Sequence, residues 1–170
     1  NIIAISWKSA AGTIEPPTDT AGNKYSEAAQ LTPGGGNLSQ AIYFAKKIPA
    51  ADAGNTVEVK FSGGRLGVNV CVAEYSGLDD PIVEGTSSRS GSNNSATSGP
   101  VTTTAANTLL FTAGTTWGEF GNARNEFDTR ELTQRLDALV ADRIVNAGTY
   151  EAEAPKGGNT SSTWLMQVVA

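Results

Sequence analysis

The chain has 170 residues, a net charge of −5, 39% hydrophobic and only 17% charged residues, and much of the rest is 19 Thr, 14 Ser, 12 Asn and 19 Gly. That is enough polymer for one domain with a core of its own, and low charge with many β-branched residues reads as a folded, turn-rich β protein. No histidine is present, which removes Ser-His-Asp and Cys-His catalysis and every imidazole metal site; no basic block neutralises phosphates, and no apolar run approaches the ~20 residues of a membrane helix.

The first expected strand spans residues 2–8, with Ile3, Ile5 and Trp7 alternating against Ile2, Ala4 and Ser6. A loop follows at Pro16-Pro17. Asp19-Thr20-Ala21-Gly22-Asn23 reads as a turn in which Asp19 accepts from backbone N–H groups ahead of it and Gly22 or Asn23 takes positive φ. It leads into a short strand at 24–26. After Pro33-Gly34-Gly35-Gly36 a strand is expected over 38–48. Residues 56–61 alternate cleanly, Val57, Val59 and Phe61 against Thr56, Glu58 and Lys60, as a half-solvated antiparallel strand does.

Residues 66–75 put Leu66, Val68, Val70 and Val72 on one face. The lone Cys71 lies within this run and reads as a small buried residue. Residues 85–100 are almost pure Ser, Gly, Asn and Thr and read as a long ordered surface loop, with a disordered linker as the alternative. Further strands are expected at 101–104, 108–116, 127–131, 139–145, 148–154 and 163–169. Leu132, Leu136, Leu139 and Val140 have helical spacing, so a turn or short helical piece is expected at 133–138. Ten or more short strands without long helices make an all-β protein, a two-sheet antiparallel β-sandwich of jelly-roll-like type. The chain starts and stops inside apolar runs, which suggests a single module, residues 1–170, cut from a larger protein.

Five segments carry a family resemblance: Asp19-Thr20-Ala21-Gly22-Asn23-Lys24-Tyr25, Asn37-Leu38-Ser39-Gln40-Ala41-Ile42-Tyr43-Phe44-Ala45-Lys46, Ala73-Glu74-Tyr75-Ser76-Gly77-Leu78, Asp142-Arg143-Ile144-Val145 and Trp164-Leu165-Met166-Gln167. Together they resemble a bacterial extracellular β-sandwich domain, and within that group carbohydrate-binding module family 81. The resemblance implies a secreted, monomeric, non-catalytic module without cofactor or metal. It implies binding of β-1,4- and mixed-linked β-glucans, including xyloglucan and cellulose, on a fairly flat surface. Its partner in the parent chain would be a covalently linked glycoside hydrolase. The alternative is a structural or adhesive sandwich module with no sugar site.

Sugar recognition needs exposed aromatic rings for the C–H face of a pyranose and planar polar groups for its hydroxyl rim. Trp117 is the first candidate, because it follows a strand and is flanked by Gly118, Glu119 and Asn122. Phe120 is a second ring or the anchor of that loop. Trp7 and Trp164 are core residues or rings emerging at a sheet rim, and Tyr25 and Tyr43 are amphipathic candidates. Gln40 and Gln167 are uncharged polar side chains placed on strands, as a sugar-binding sheet requires. Asn122, Asn69, Glu119 and Arg124 are weaker candidates of the same kind. Asp79-Asp80-Pro81 reads as a turn rather than a calcium loop. Asn37, Asn93 and Asn159 open glycosylation-type tripeptides.

Overall fold

The computed structural model describes residues 1–8, 12–33, 37–50, 54–63, 67–78, 83–135, 137–158 and 162–170. Leu66, the Gly34-Gly35-Gly36 run, Asp79-Asp80-Pro81, Leu136 and Asn159 lie outside the described residues. In chain order the strands are β1 (Ile2–Trp7), β2 (Thr13–Ile14), β3 (Thr18–Asp19), β4 (Ser26–Leu31), β5 (Ser39–Phe44), β6 (Val57–Glu58), β7 (Phe61–Ser62), β8 (Asn69–Ala73) and β9 (Thr86–Gly91). They continue as β10 (Ser95–Thr97), β11 (Val101–Thr103), β12 (Thr108–Thr116), β13 (Glu119–Phe120), β14 (Asp128–Leu132), β15 (Ala138–Val145), β16 (Gly148–Tyr150), β17 (Glu153–Gly157) and β18 (Trp164–Val169). No helix occurs among the described residues.

Two antiparallel sheets dominate. The first runs β4-β5-β1-β8 and the second β14-β15-β12-β18-β9, so each main sheet is drawn from one half of the chain. They pack face to face through Ala4 and Ile42 of the first and Phe111, Ala113 and Val140 of the second. This is the all-β, two-sheet antiparallel sandwich that the strand pattern predicts.

Both main sheets are also covered on their outer faces. Ile3, Ile5, Trp7, Ala41 and Tyr43 point away from the sheet–sheet contact and are capped by Tyr25, Ile14, Val57, Val59 and Phe61. On the far side, Leu110, Leu139, Met166 and Val168 pack against Ala96, Phe120 and Ala154 of the small sheets and Ala152 between β16 and β17. Three apolar layers in series explain why β1 and β18 carry apolar residues at successive positions rather than alternate ones: both faces of each strand are buried.

Residues 85–100 contain two strands, β9 and β10, where a loop was expected. β9 pairs with β18 from Thr86↔Val169 to Gly91↔Trp164 through its backbone ladder, and the outer face of an edge strand needs no apolar side chains. Short strands β2 and β3 pair with β7 and β6, and β4 begins at Ser26, where the strand expected at 24–26 would end, its Ala28-Ala29 pair being a weak strand signal. Where a turn or short helical piece was expected at 133–138, β14 and β15 form a hairpin in which Thr133 N–H donates to Ala138 O at 3.1 Å, and the described residues of that stretch are not helical. Val68, Val70 and Val72 share a face that is exposed at the edge of the first sheet. The opposite face of β8 turns Asn69 and Cys71 toward the second sheet, leaving Cys71 half-buried.

Candidate functional site

Trp117 is 46% exposed, whereas Trp7 and Trp164 are 0% and 4% exposed. Local geometry puts Trp117 there. β12 ends at Thr116, whose Oγ1 accepts from Gly118 N–H at 3.0 Å and donates to Thr163 O at 2.9 Å. Trp117 N–H donates to the same Thr163 carbonyl at 3.1 Å. A Cβ on Gly118 would stand 2.9 Å from Gly157 O, so only glycine passes this point without displacement. The tight turn leaves the indole outside.

One face of that indole is held by Lys8, whose Nζ lies 4.6 Å from the ring centroid, inside cation–π range. Lys8 also donates to Asp137 Oδ2 at 2.8 Å, with both side chains largely buried. Thr133 Oγ1 donates to Asp137 Oδ1 at 2.8 Å. Burial pushes the Asp137 carboxyl up, but the bonds from Lys8 and Thr133 outweigh it and leave the group below the usual carboxylate range. The ion pair joins the end of β1 to the β14–β15 turn, 129 residues apart in sequence.

Beside this ion pair a cleft of about 290 Å³ opens between the edge strands β8 and β14 of the two main sheets. Ser6, Gln40, Asn69 and Cys71 line it from the first sheet, and Glu131 and Thr133 from the second. Ala4, Ala113 and Val140 supply apolar lining. Ser6 is the cross-strand partner of both Gln40 and Asn69, which puts the three side chains on one face. Gln40 is 1% exposed and its Oε1 has no hydrogen-bond partner. Burial, and then the Glu131 charge, push the Cys71 thiol up. Lys8 follows Trp7 directly after the lining residue Ser6, and Thr133 belongs to both the cleft and the ion-pair network. Trp117 and the cleft are therefore linked by contacts: Lys8 sits on the indole and bonds Asp137, which in turn is bonded by the lining residue Thr133.

The other expected site residues fall elsewhere. Trp7 is a core residue, edge-to-face with Phe61 at 5.6 Å between centroids, because both faces of β1 are covered. Trp164 is packed behind Gly91 and donates Nε1–H to Asn93 Oδ1 at 2.9 Å. Phe120 is buried beneath Gly114 and anchors the turn that carries Trp117. Tyr25 is buried, its hydroxyl donating to Asp19 Oδ2 at 2.9 Å. Gln167 is fully buried between the main sheets, opposite Ala113, and donates to Ser88 Oγ at 3.1 Å. None of these five presents a surface for a ligand. Asn122 is exposed and is not among the residues lining the cleft, and the chain beyond it is held by Arg124 on Glu153 at 3.0 Å. Of the expected residues, only Trp117 and Gln40, with the weaker candidate Asn69, belong to the site. Sequence reasoning missed Lys8, Asp137, Glu131 and Thr133, which no local spacing connects.

Among the described residues no group of three or more His, Cys, Asp or Glu converges as a metal site would. Comparison with protein-family models, with curated proteins and with solved structures returned no match.

Proposed function

We propose that the protein is a carbohydrate-binding module that docks on neutral β-glucan without transforming it. The single observation that carries the reading is Trp117: an exposed indole whose backbone is pinned by Thr163 and Thr116, with one face occupied by Lys8. A ligand would stack on the other face. The apolar face of a pyranose suits such a ring, and a fixed ring loses little freedom on binding. The neighbouring Gln40, Asn69 and Ser6 are uncharged hydrogen-bonding groups, which suit hydroxyls rather than phosphates or carboxylates. The low charge of the chain fits a neutral polymer as partner.

In this reading the module is extracellular, monomeric and linked to a glycoside hydrolase that it targets to plant cell-wall polysaccharide. Electrophoresis in native gels cast with barley β-glucan or xyloglucan tests it. Retarded migration in either polymer is the expected result. Unchanged migration in both would leave the structural or adhesive module as the better reading. Release of reducing sugar by the isolated domain would point to an enzyme instead.

A further inference from the structure

The cleft between β8 and β14 has features that a stacking surface does not need. Its base holds the Gln40 side chain, 1% exposed, with an unpartnered Oε1. A buried carbonyl oxygen without a donor costs about 1–3 kcal/mol, a cost that a donor entering the cleft would relieve. Ser6 and Asn69 beside it each donate and accept, while Thr133, whose proton goes to Asp137, and the Glu131 carboxylate accept on the second wall. Ala4, Ala113 and Val140 give an apolar patch between the polar groups. Groups that donate and accept around an apolar centre match a ring bearing hydroxyls. The Glu131 charge selects against an anion. At about 290 Å³ the space falls just below the ~300–1,000 Å³ range for small-molecule sites, so it fits one ring and not an extended chain.

We infer that this cleft is a subsite for a single hydroxyl-bearing pyranose unit, with Gln40 Oε1 accepting a hydrogen bond from one of its hydroxyls. The inference rests on the glucan-binding reading above and assigns it a second, end-on contact. The unit comes from one of two sources with the same chemistry: the terminal residue of a linear chain lying on Trp117, or a side branch of a substituted chain.

Cys71 supplies the test, since it lines the cleft and is the chain's one cysteine. Its raised thiol pKa makes alkylation slow, so the rate is followed by mass at mildly alkaline pH. Cellopentaose and a xylose-branched xyloglucan oligosaccharide are compared at saturating concentration. Slowing of alkylation by both supports the chain-end source, and slowing by the branched sugar alone supports the branch. Prior labelling of Cys71 with a bulky maleimide is expected to weaken oligosaccharide binding at least tenfold. In Gln40→Leu, affinity falls about tenfold, the loss of one hydrogen bond in a desolvated site. If the oligosaccharides bind but Cys71 reacts at an unchanged rate and the labelled protein binds as well as the unlabelled, the subsite is overturned while the Trp117 reading stands. If the wild-type protein binds neither sugar, both fall together.

Discussion

At the scale of single residues, three tryptophans of one chemistry have three fates set by what surrounds them. Trp7 lies in a strand covered on both sides, Trp164 lies behind a glycine that makes room for it, and Trp117 lies beyond the last ladder pair of its strand. The exposure of Trp117 was legible in the sequence because its small and polar neighbours offer no apolar cover. The depth of Trp7 was not, because alternation within β1 says nothing about a second layer above it. Asp19 is the opposite case. Its role as a turn-former was readable from spacing, and the structure supplies the partners: Asn23 N–H at 2.9 Å, Asn23 Nδ2 at 2.7 Å and Tyr25 OH at 2.9 Å, with Gly22 at φ +77°. Burial, the largest single influence, raises the Asp19 carboxyl, but these hydrogen bonds together outweigh it and bring it down to about 2. A depressed carboxyl stabilises the fold fully above its unfolded value of about 3.9 and loses that contribution as pH falls through about 2. Urea midpoints of wild type and Asp19→Asn should therefore differ most above about pH 4 and converge toward about pH 2. A gap that stays constant across that range would remove Asp19 from the acid response.

At the scale of elements, backbone pairing rather than side-chain pattern decides where strands form. β9 is built of Thr, Ser, Arg and Gly, yet it pairs in register along the whole of β18. Composition reads such a segment as loop because hydrophobic alternation, the main strand signal, is absent. By contrast β12, β15 and β18 were legible, since their apolar residues run along both faces. The tie between the two main sheets was not readable at all. Asp142 of β15, 3% exposed, accepts from Arg130 Nε at 2.8 Å, from Arg130 Nη2 at 2.7 Å and from the Tyr75 hydroxyl at 2.6 Å. Tyr75 follows β8 of the first sheet, and its ring meets Phe111 of the second edge-to-face. Its hydroxyl pKa is raised by burial and then by the bond to Asp142. Removing the carboxylate leaves Tyr75 without its acceptor, while the half-exposed Arg130 regains water. Asp142→Ala should destabilise by about 2–3 kcal/mol, below the full value for a broken buried pair. At ~2–4 °C per kcal/mol for a domain of this size, Tm should fall by roughly 4–12 °C in calorimetry. An unchanged Tm would mean that the tie carries no load.

At the scale of the molecule, the all-β sandwich was readable from strand count and turn residues, whereas the site was readable only in part. Trp117, Gln40 and Asn69 were identifiable by residue type. Their assembly was not, because the cleft forms where edge strands of two sheets from opposite halves of the chain come side by side, and the Lys8–Asp137 pair spans nearly the whole sequence. The same arrangement explains the low apolar content of the chain. Three thin apolar layers need few large side chains, and Ala4, Ala41, Ala96, Ala113, Ala141, Ala152 and Ala154 fill much of them. The central claim is that this scaffold holds Trp117 as a stacking platform for β-glucan. Its most direct test is a titration of tryptophan fluorescence with cellopentaose, run on wild type and on Trp117→Ala. Trp7 and Trp164 are buried, so the signal should come from Trp117: a saturable change in wild type and none in the variant. Calorimetric affinity should fall in the variant by about 1–3 kcal/mol, by analogy with nucleobases stacked on aromatic side chains, with Tm unchanged. A flat titration of the wild-type protein, or equal affinity in the two proteins, would contradict the claim.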